Sequence, residues 1–181
     1  MTVTIKELMI PIDEYVAVGT ENTLFEYFQT LEQDRVTKEK GHSHRDALVF
    51  DEDGSVMGKI TMIDIFLALE PGYKSILDSL TPDSVLTPEY MAKLFKSYNI
   101  WNEPLQDLCR KTSNLRIKDI MHVPEENEYV ETHQPLTEAF NRYVMGIHQP
   151  LLVREAGRVV GVLRYGDVFN TIKELTLACP V

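Results

Sequence analysis

Ile5-Lys6-Glu7-Leu8-Met9 and Ile117-Lys118-Asp119-Ile120-Met121 are two versions of one short phrase. At the same offset Val18 falls on Val130, Thr20 on Thr132, Leu24 on Leu136, Glu26 on Glu138 and Phe28 on Phe140. The match resumes at a shorter offset, with Gly58 on Gly161, Ile60 on Leu163, Asp64 on Asp167 and Phe66 on Phe169. The first copy's middle loop is therefore nine residues longer. Matches that persist across such a span identify an internal duplication, which has to be read before anything else in the chain.

Each copy reads as strand, helix, strand, strand, helix. In the first, Tyr15 to Val18 suits a short strand, and Leu24, Phe28 and Leu31 recur at helical spacing. Ala47 to Phe50 and Val56 to Ile60 flank Asp51-Glu52-Asp53-Gly54, the composition of a hairpin turn. A second helix is predicted from Met62. In the second copy Pro135 suits a helix start, Leu151 to Val153 and Arg158 to Leu163 flank the turn Glu155-Ala156-Gly157, and a last helix runs from about Gly166 to Leu175. A three-stranded sheet with helices on one side leaves apolar surface uncovered, so the copies are expected to pack together with pseudo-twofold symmetry. The fold class is α/β (α+β), divided as 1–69 for repeat one, 70–114 for a helical insertion and 115–181 for repeat two. Within the insertion Thr87-Pro88-Glu89 opens one helix, with Met91, Leu94, Phe95 and Tyr98 on one face, and Asn102 to Cys109 suggests another.

Composition narrows the function. The 181 residues are 44% hydrophobic and 25% charged, the balance of a globular domain. No apolar run reaches the roughly 20 residues of a membrane span. The formal charge of −10 repels nucleic acid and anionic lipid alike, and no Lys/Arg cluster offsets it. The start MTVTIKELMIP carries no export signal, so a cytoplasmic location is expected. Cys109 and Cys179 lack both disulfide and zinc-ligand spacing.

Chemistry is concentrated where a strand runs straight into a helix. Gly58-Lys59-Ile60-Thr61-Met62-Ile63-Asp64 puts a hydroxyl and a carboxylate in the first helical turn, where free backbone N–H groups attract a phosphate and Asp64 can accept bonds from vicinal ribose hydroxyls. The plainer reading makes Thr61 an N-cap and Asp64 its capping-box partner. In the second copy Gly161-Val162-Leu163-Arg164-Tyr165-Gly166-Asp167 keeps the carboxylate and replaces the hydroxyl with Arg164. That guanidinium either pairs with a phosphate or neutralises Asp167, and the two are equally weighted. The two sites are therefore not equivalent.

Taken together, the IKELM and IKDIM segments, ALVFDEDGSVMG, LLVREAGRVVG, GKITMID and GVLRYGD make the chain resemble a tandem pair of cystathionine β-synthase (CBS) domains, a Bateman module. The resemblance covers about Thr4 to Leu69 and Leu115 to Leu175. It implies up to two clefts between the repeats for AMP, ADP, ATP or S-adenosylmethionine. Asp64 and Asp167 would hold ribose, Thr61 would touch phosphate, and Val18, Val130, Leu48, Pro150 and Leu151 would line the base. Arg164 and Leu48 depart from the family pattern, where threonine and often proline are found. The implied function is that of a regulatory, non-catalytic sensor, a homodimer acting on an unidentified protein partner. The alternative is an interaction module with degenerate clefts.

Other candidates have blander readings. Arg45 and Lys59 are cations that could reach a nucleotide's phosphates. His42 and His44 lack further ligands and read as a solvated loop, so no metal site is assigned. His122, His133 and His148 have no nucleophile beside them in the sequence, and no general base, nucleophile or cofactor requirement emerges. Trp101, Tyr90, Phe95 and Tyr98 read as core and dimer contact.

Overall fold

The computed structural model describes residues 3–37, 45–100 and 107–178. His42, His44, Trp101 and Cys179 lie outside these residues. In chain order the elements are β1 (Ile10–Pro11), β2 (Ala17–Gly19), α1 (Leu24–Thr37), β3 (Ala47–Phe50), β4 (Val56–Ile60), α2 (Met62–Leu69), α3 (Gly72–Ser79), α4 (Pro88–Ser97), α5 (Leu108–Asn114), α6 (Ile117–Ile120), β5 (Tyr129–Glu131), α7 (Leu136–Val144), β6 (Leu151–Glu155), β7 (Arg158–Leu163) and α8 (Tyr165–Leu177). Each repeat thus runs βαββα. Among the described residues no helix is long and apolar enough to cross a membrane.

The chain forms two compact units, and they are not the two repeats taken in order. One unit is Val18–His122, and the other joins Met1–Ala17 to Val123–Val181. Each holds the body of one repeat together with the lead-in phrase of the other. In the second unit, Ile5 N–H donates to the Gln134 carbonyl at 3.0 Å, Lys6 N–H to that of Thr132 at 3.1 Å, and Leu136 N–H to that of Val3 at 3.0 Å. In the first, Ile117 N–H donates to Asn22 at 2.9 Å, Lys118 N–H to Thr20 at 3.1 Å, and Leu24 N–H to Leu115 at 2.9 Å. The same three bonds are made twice, at positions the repeat makes equivalent.

The sheets differ by one strand. The first unit has the order β2-β3-β4, with β3 and β4 antiparallel. The second has β1-β7-β6-β5, in which β5 runs parallel to β6 and the lead-in strand β1 pairs antiparallel with β7, Ile10 opposite Val162. Sequence patterning anticipates three strands here, because two residues are too few to carry an alternation. The position equivalent to Ile10 is His122, which makes only an isolated bridge to Lys59.

Two glycines permit this crossing. A Cβ at Gly58 would stand 2.7 Å from the His122 carbonyl oxygen, and one at Gly161 would stand 2.6 Å from that of Ile10. Neither position tolerates a side chain without a backbone shift.

One face of the second unit's sheet packs against its helices. Ile5, Val130, Leu136, Ala139, Tyr143, Leu151, Val153, Leu163 and Val168 form a single buried cluster. In the first unit α1 buries Leu24 and Tyr27, while Phe28, predicted to share the buried face, is 39% exposed. Helix α1 packs against α5, and the stripe that contacts the sheet is rotated so that Phe25 and Phe28 line a groove of about 610 Å³ with Leu69, Leu108 and Thr112. Thr87 caps α4 by accepting from Tyr90 N–H at 3.2 Å, as the sequence predicts. Helix α3 is not anticipated by the sequence pattern; the helix expected over Asn102 to Cys109 falls largely on residues 102–106, which lie outside the described residues, and α5 is described from Leu108.

Candidate functional site

In both repeats the second hairpin strand delivers the chain to a helix whose first turn carries the carboxylate. Thr61 follows β4 in extended conformation and is the N-cap of α2; Arg164 does the same between β7 and α8. Asp64 and Asp167 occupy the third helical position in each case. Beyond that the two sites diverge.

In the first repeat the Asp64 carboxylate closes a capping box. Its Oδ2 accepts from Thr61 N–H at 2.8 Å and from the Thr61 hydroxyl at 2.7 Å. Both of these bonds end on a single oxygen, and Thr61 is 9% exposed. A ring nitrogen of His122 lies within 4.8 Å of this carboxylate. His122 itself is fixed through its backbone, donating to the Lys59 carbonyl at 2.8 Å and accepting from Lys59 N–H at 3.0 Å.

In the second repeat the carboxylate is gripped by a cation. Arg164 Nε donates to Asp167 Oδ2 at 2.7 Å and Nη2 to Oδ1 at 2.9 Å, a bidentate pair with both side chains 16% exposed. One of the two roles open to Arg164, pairing with Asp167, is the one it takes in this structure. The turn is held from beneath by the buried Tyr143 hydroxyl, which donates to the Leu163 carbonyl at 2.7 Å.

The hairpin register sorts the apolar candidates. Leu48 stands opposite Lys59, and both are fully buried. Leu152 stands opposite Val162, the residue equivalent to Lys59. Leu152, not Leu151, is therefore Leu48's counterpart, because one of the nine extra residues of the first copy sits in its hairpin turn. Strand alternation turns Leu151 the other way, into the helix-side cluster that also takes Val130. Val18 is 6% exposed in β2. Pro150 is buried ahead of β6 and follows a cis peptide. Lys59, a cation expected to reach phosphate, is fully buried.

Tyr27 is a buried group that the sequence pattern does not single out. It is fully buried, and its hydroxyl donates to the Arg45 carbonyl at 3.1 Å. Burial pushes its phenol well above the ordinary tyrosine range, and the negative charges of Asp46 and Asp64 add to this. The signal available in the sequence is helical spacing, since Leu24, Tyr27 and Leu31 fit a buried stripe as well as Leu24, Phe28 and Leu31 do.

Against known proteins, residues 117–174 match the CBS domain family. No curated relative matches the chain. Solved structures share its fold across nearly its full length. CBSX2 from Arabidopsis thaliana is 17% identical, covering 99% of this chain and 100% of that one, with a TM-score of 0.61. CBSX2 solved in complex with AMP is 16% identical, with coverage of 96% and 98% and a TM-score of 0.57. A CBS-domain containing protein from Agrobacterium tumefaciens is 18% identical, with 95% of each chain covered and a TM-score of 0.59. At these identities the likeness speaks for the fold. With the duplicated βαββα body, the repeated strand-to-helix step and the family match over residues 117–174, the chain has the fold of the CBS-pair proteins.

Proposed function

We propose that this protein is a regulatory module that binds an adenine nucleotide, with Asp64 and Asp167 accepting bonds from ribose hydroxyls. The observation that carries the reading is the duplication of the site itself. Two strand-to-helix steps place a carboxylate at the same helical position, each beside backbone N–H groups that attract a phosphate. The AMP complex of CBSX2, a protein of the same fold, supports the choice of ligand class.

Thr61 supplies a hydroxyl near the phosphate position of the first repeat, and Arg164 a guanidinium at the second. Leu48 and Leu152 offer apolar surface for the base at equivalent positions, with Val18, Val130, Pro150 and Leu151 packing the strands that carry them. The role is regulatory and non-catalytic, in a cytoplasmic homodimer that signals to a protein partner. S-adenosylmethionine presents the same adenosine group and belongs in the same panel.

Thermal unfolding with AMP, ADP, ATP and S-adenosylmethionine, followed by calorimetry, tests this. A ligand bound only to the folded state adds about 2.7 kcal/mol of stability at a hundredfold excess over Kd. If none of the four compounds moves the melting temperature at millimolar concentration, the reading is lost. The Arg164–Asp167 pair favours the alternative of a degenerate second site, which predicts that no substitution at Arg164 brings a second equivalent of nucleotide.

A further inference from the structure

The two repeats hold their carboxylates in different ways, and the difference bears on which ligand each accepts. Resting on the nucleotide reading above, we infer that the Arg164–Asp167 pair is a latch that makes the second repeat's site selective for phosphorylated ligands. A nucleotide opens it by giving the guanidinium a phosphate in exchange for the carboxylate. A nucleoside has nothing to give.

A ribose diol is recognised by the two oxygens of a carboxylate, and in the second repeat the guanidinium holds both, at 2.7 and 2.9 Å. Releasing Asp167 means detaching a cation whose side chain, like its partner's, is only 16% exposed. Leaving either charge unmatched in such a place is costly. Phosphate accepts the same two-pronged fork as carboxylate, so the exchange keeps the charge-assisted bonds while freeing Asp167 for sugar hydroxyls. Arg164 is also the N-cap of α8, a thirteen-residue helix whose opening N–H groups attract an anion to the place where the guanidinium must be rehoused.

The first repeat has threonine where the second has arginine. Its carboxylate accepts from a neutral hydroxyl and a backbone N–H of Thr61, both on Oδ2. No guanidinium fork has to be released there, so the first site discriminates less between nucleoside and nucleotide. The first repeat also supplies the test substitution, because threonine at position 164 recreates the Thr61 arrangement on an equivalent backbone.

Calorimetry with AMP and adenosine on the full chain, in an Asp64→Ala background that disables the first site, reads the latch directly. With Arg164 present, AMP is expected to bind at least about tenfold more tightly than adenosine. Adding Arg164→Thr is expected to raise adenosine affinity at least about tenfold and bring the two ligands close to parity. Arg164→Lys keeps the charge without the fork. It is expected to raise adenosine affinity about threefold while AMP stays preferred, which covers the case in which the threonine variant unfolds. Equal affinities with Arg164 in place, or adenosine binding that neither substitution improves, overturn the latch. If the unsubstituted chain takes up AMP, ADP, ATP and S-adenosylmethionine not at all, the nucleotide reading falls and the latch with it. Nucleotide binding without the adenosine difference removes only the latch.

Discussion

The Gly58 α-carbon lies so close to the His122 carbonyl that a Cβ there would stand 2.7 Å from the oxygen, and Gly161 is held in the same way against Ile10 at 2.6 Å. The atom in the way is backbone oxygen in both cases, so a methyl group is accommodated only by moving a strand. Gly58→Ala and Gly161→Ala are each expected to cost about 1–3 kcal/mol in urea unfolding. A Cβ at Gly166, in the first turn of α8, would meet no heavy atom within 4 Å. Gly166→Ala is therefore expected to stabilise, by about 0.5 kcal/mol. Equal effects at the three positions would show that close approach is not what selects glycine.

The buried phenol of Tyr27 predicts how stability depends on alkaline pH. Its ordinary ionisation near pH 10 is available to the unfolded chain, while the folded chain holds the proton to higher pH. The stabilisation is complete below about pH 10 and is lost as pH rises beyond it, because the unfolded state releases its proton first. Denaturation midpoints measured from about pH 8 to pH 11 should fall more steeply for the native sequence than for Tyr27→Phe. Parallel slopes would place the alkaline sensitivity elsewhere.

Much of this was legible from the chain alone. The strands at Ala47–Phe50, Val56–Ile60 and Arg158–Leu163 follow from apolar runs bounded by Asp-Gly and Ala-Gly turns, and α4 from Thr87-Pro88-Glu89. Asp64 and Asp167 stand where the repeat puts them. The register of Leu48 against Leu152 was hidden, because a single extra turn residue reverses which side chain faces which way. The assignment of Ile5 to the second repeat's core was hidden for a different reason. A sequence repeat records descent in chain order, whereas packing is free to exchange equivalent segments between copies.

Thr61 has a capping role in the structure and a binding role under the proposed function, and substitution can separate them. Its hydroxyl donates to Asp64 and its N–H closes the capping box. Thr61→Ala removes the hydroxyl and its capping-box bonds while leaving the N–H bond to Asp64, and is expected to cost about 1 kcal/mol of stability. Thr61→Ser restores the bond and should recover most of that loss. Under the proposed function, the alanine variant also weakens nucleotide binding at the first site while serine does not; stability that tracks the hydroxyl with affinity that ignores it would confine Thr61 to capping.

Ile5 and Ile117 make the exchange of lead-in segments testable by residue. Both are fully buried, and each is held by backbone bonds to the body of the other repeat, Ile5 to Gln134 and Ile117 to Asn22. Truncating either to alanine removes a buried aliphatic side chain at a cost of about 2–5 kcal/mol. The location of the damage distinguishes packing order from chain order. Hydrogen exchange of Ile5→Ala is expected to accelerate within Val123–Val181, around the cluster of Val130, Leu151 and Leu163 that Ile5 completes, more than within Val18–His122. Ile117→Ala is expected to do the reverse. Faster exchange around β3 and β4 in Ile5→Ala would mean that each lead-in segment serves its own repeat after all.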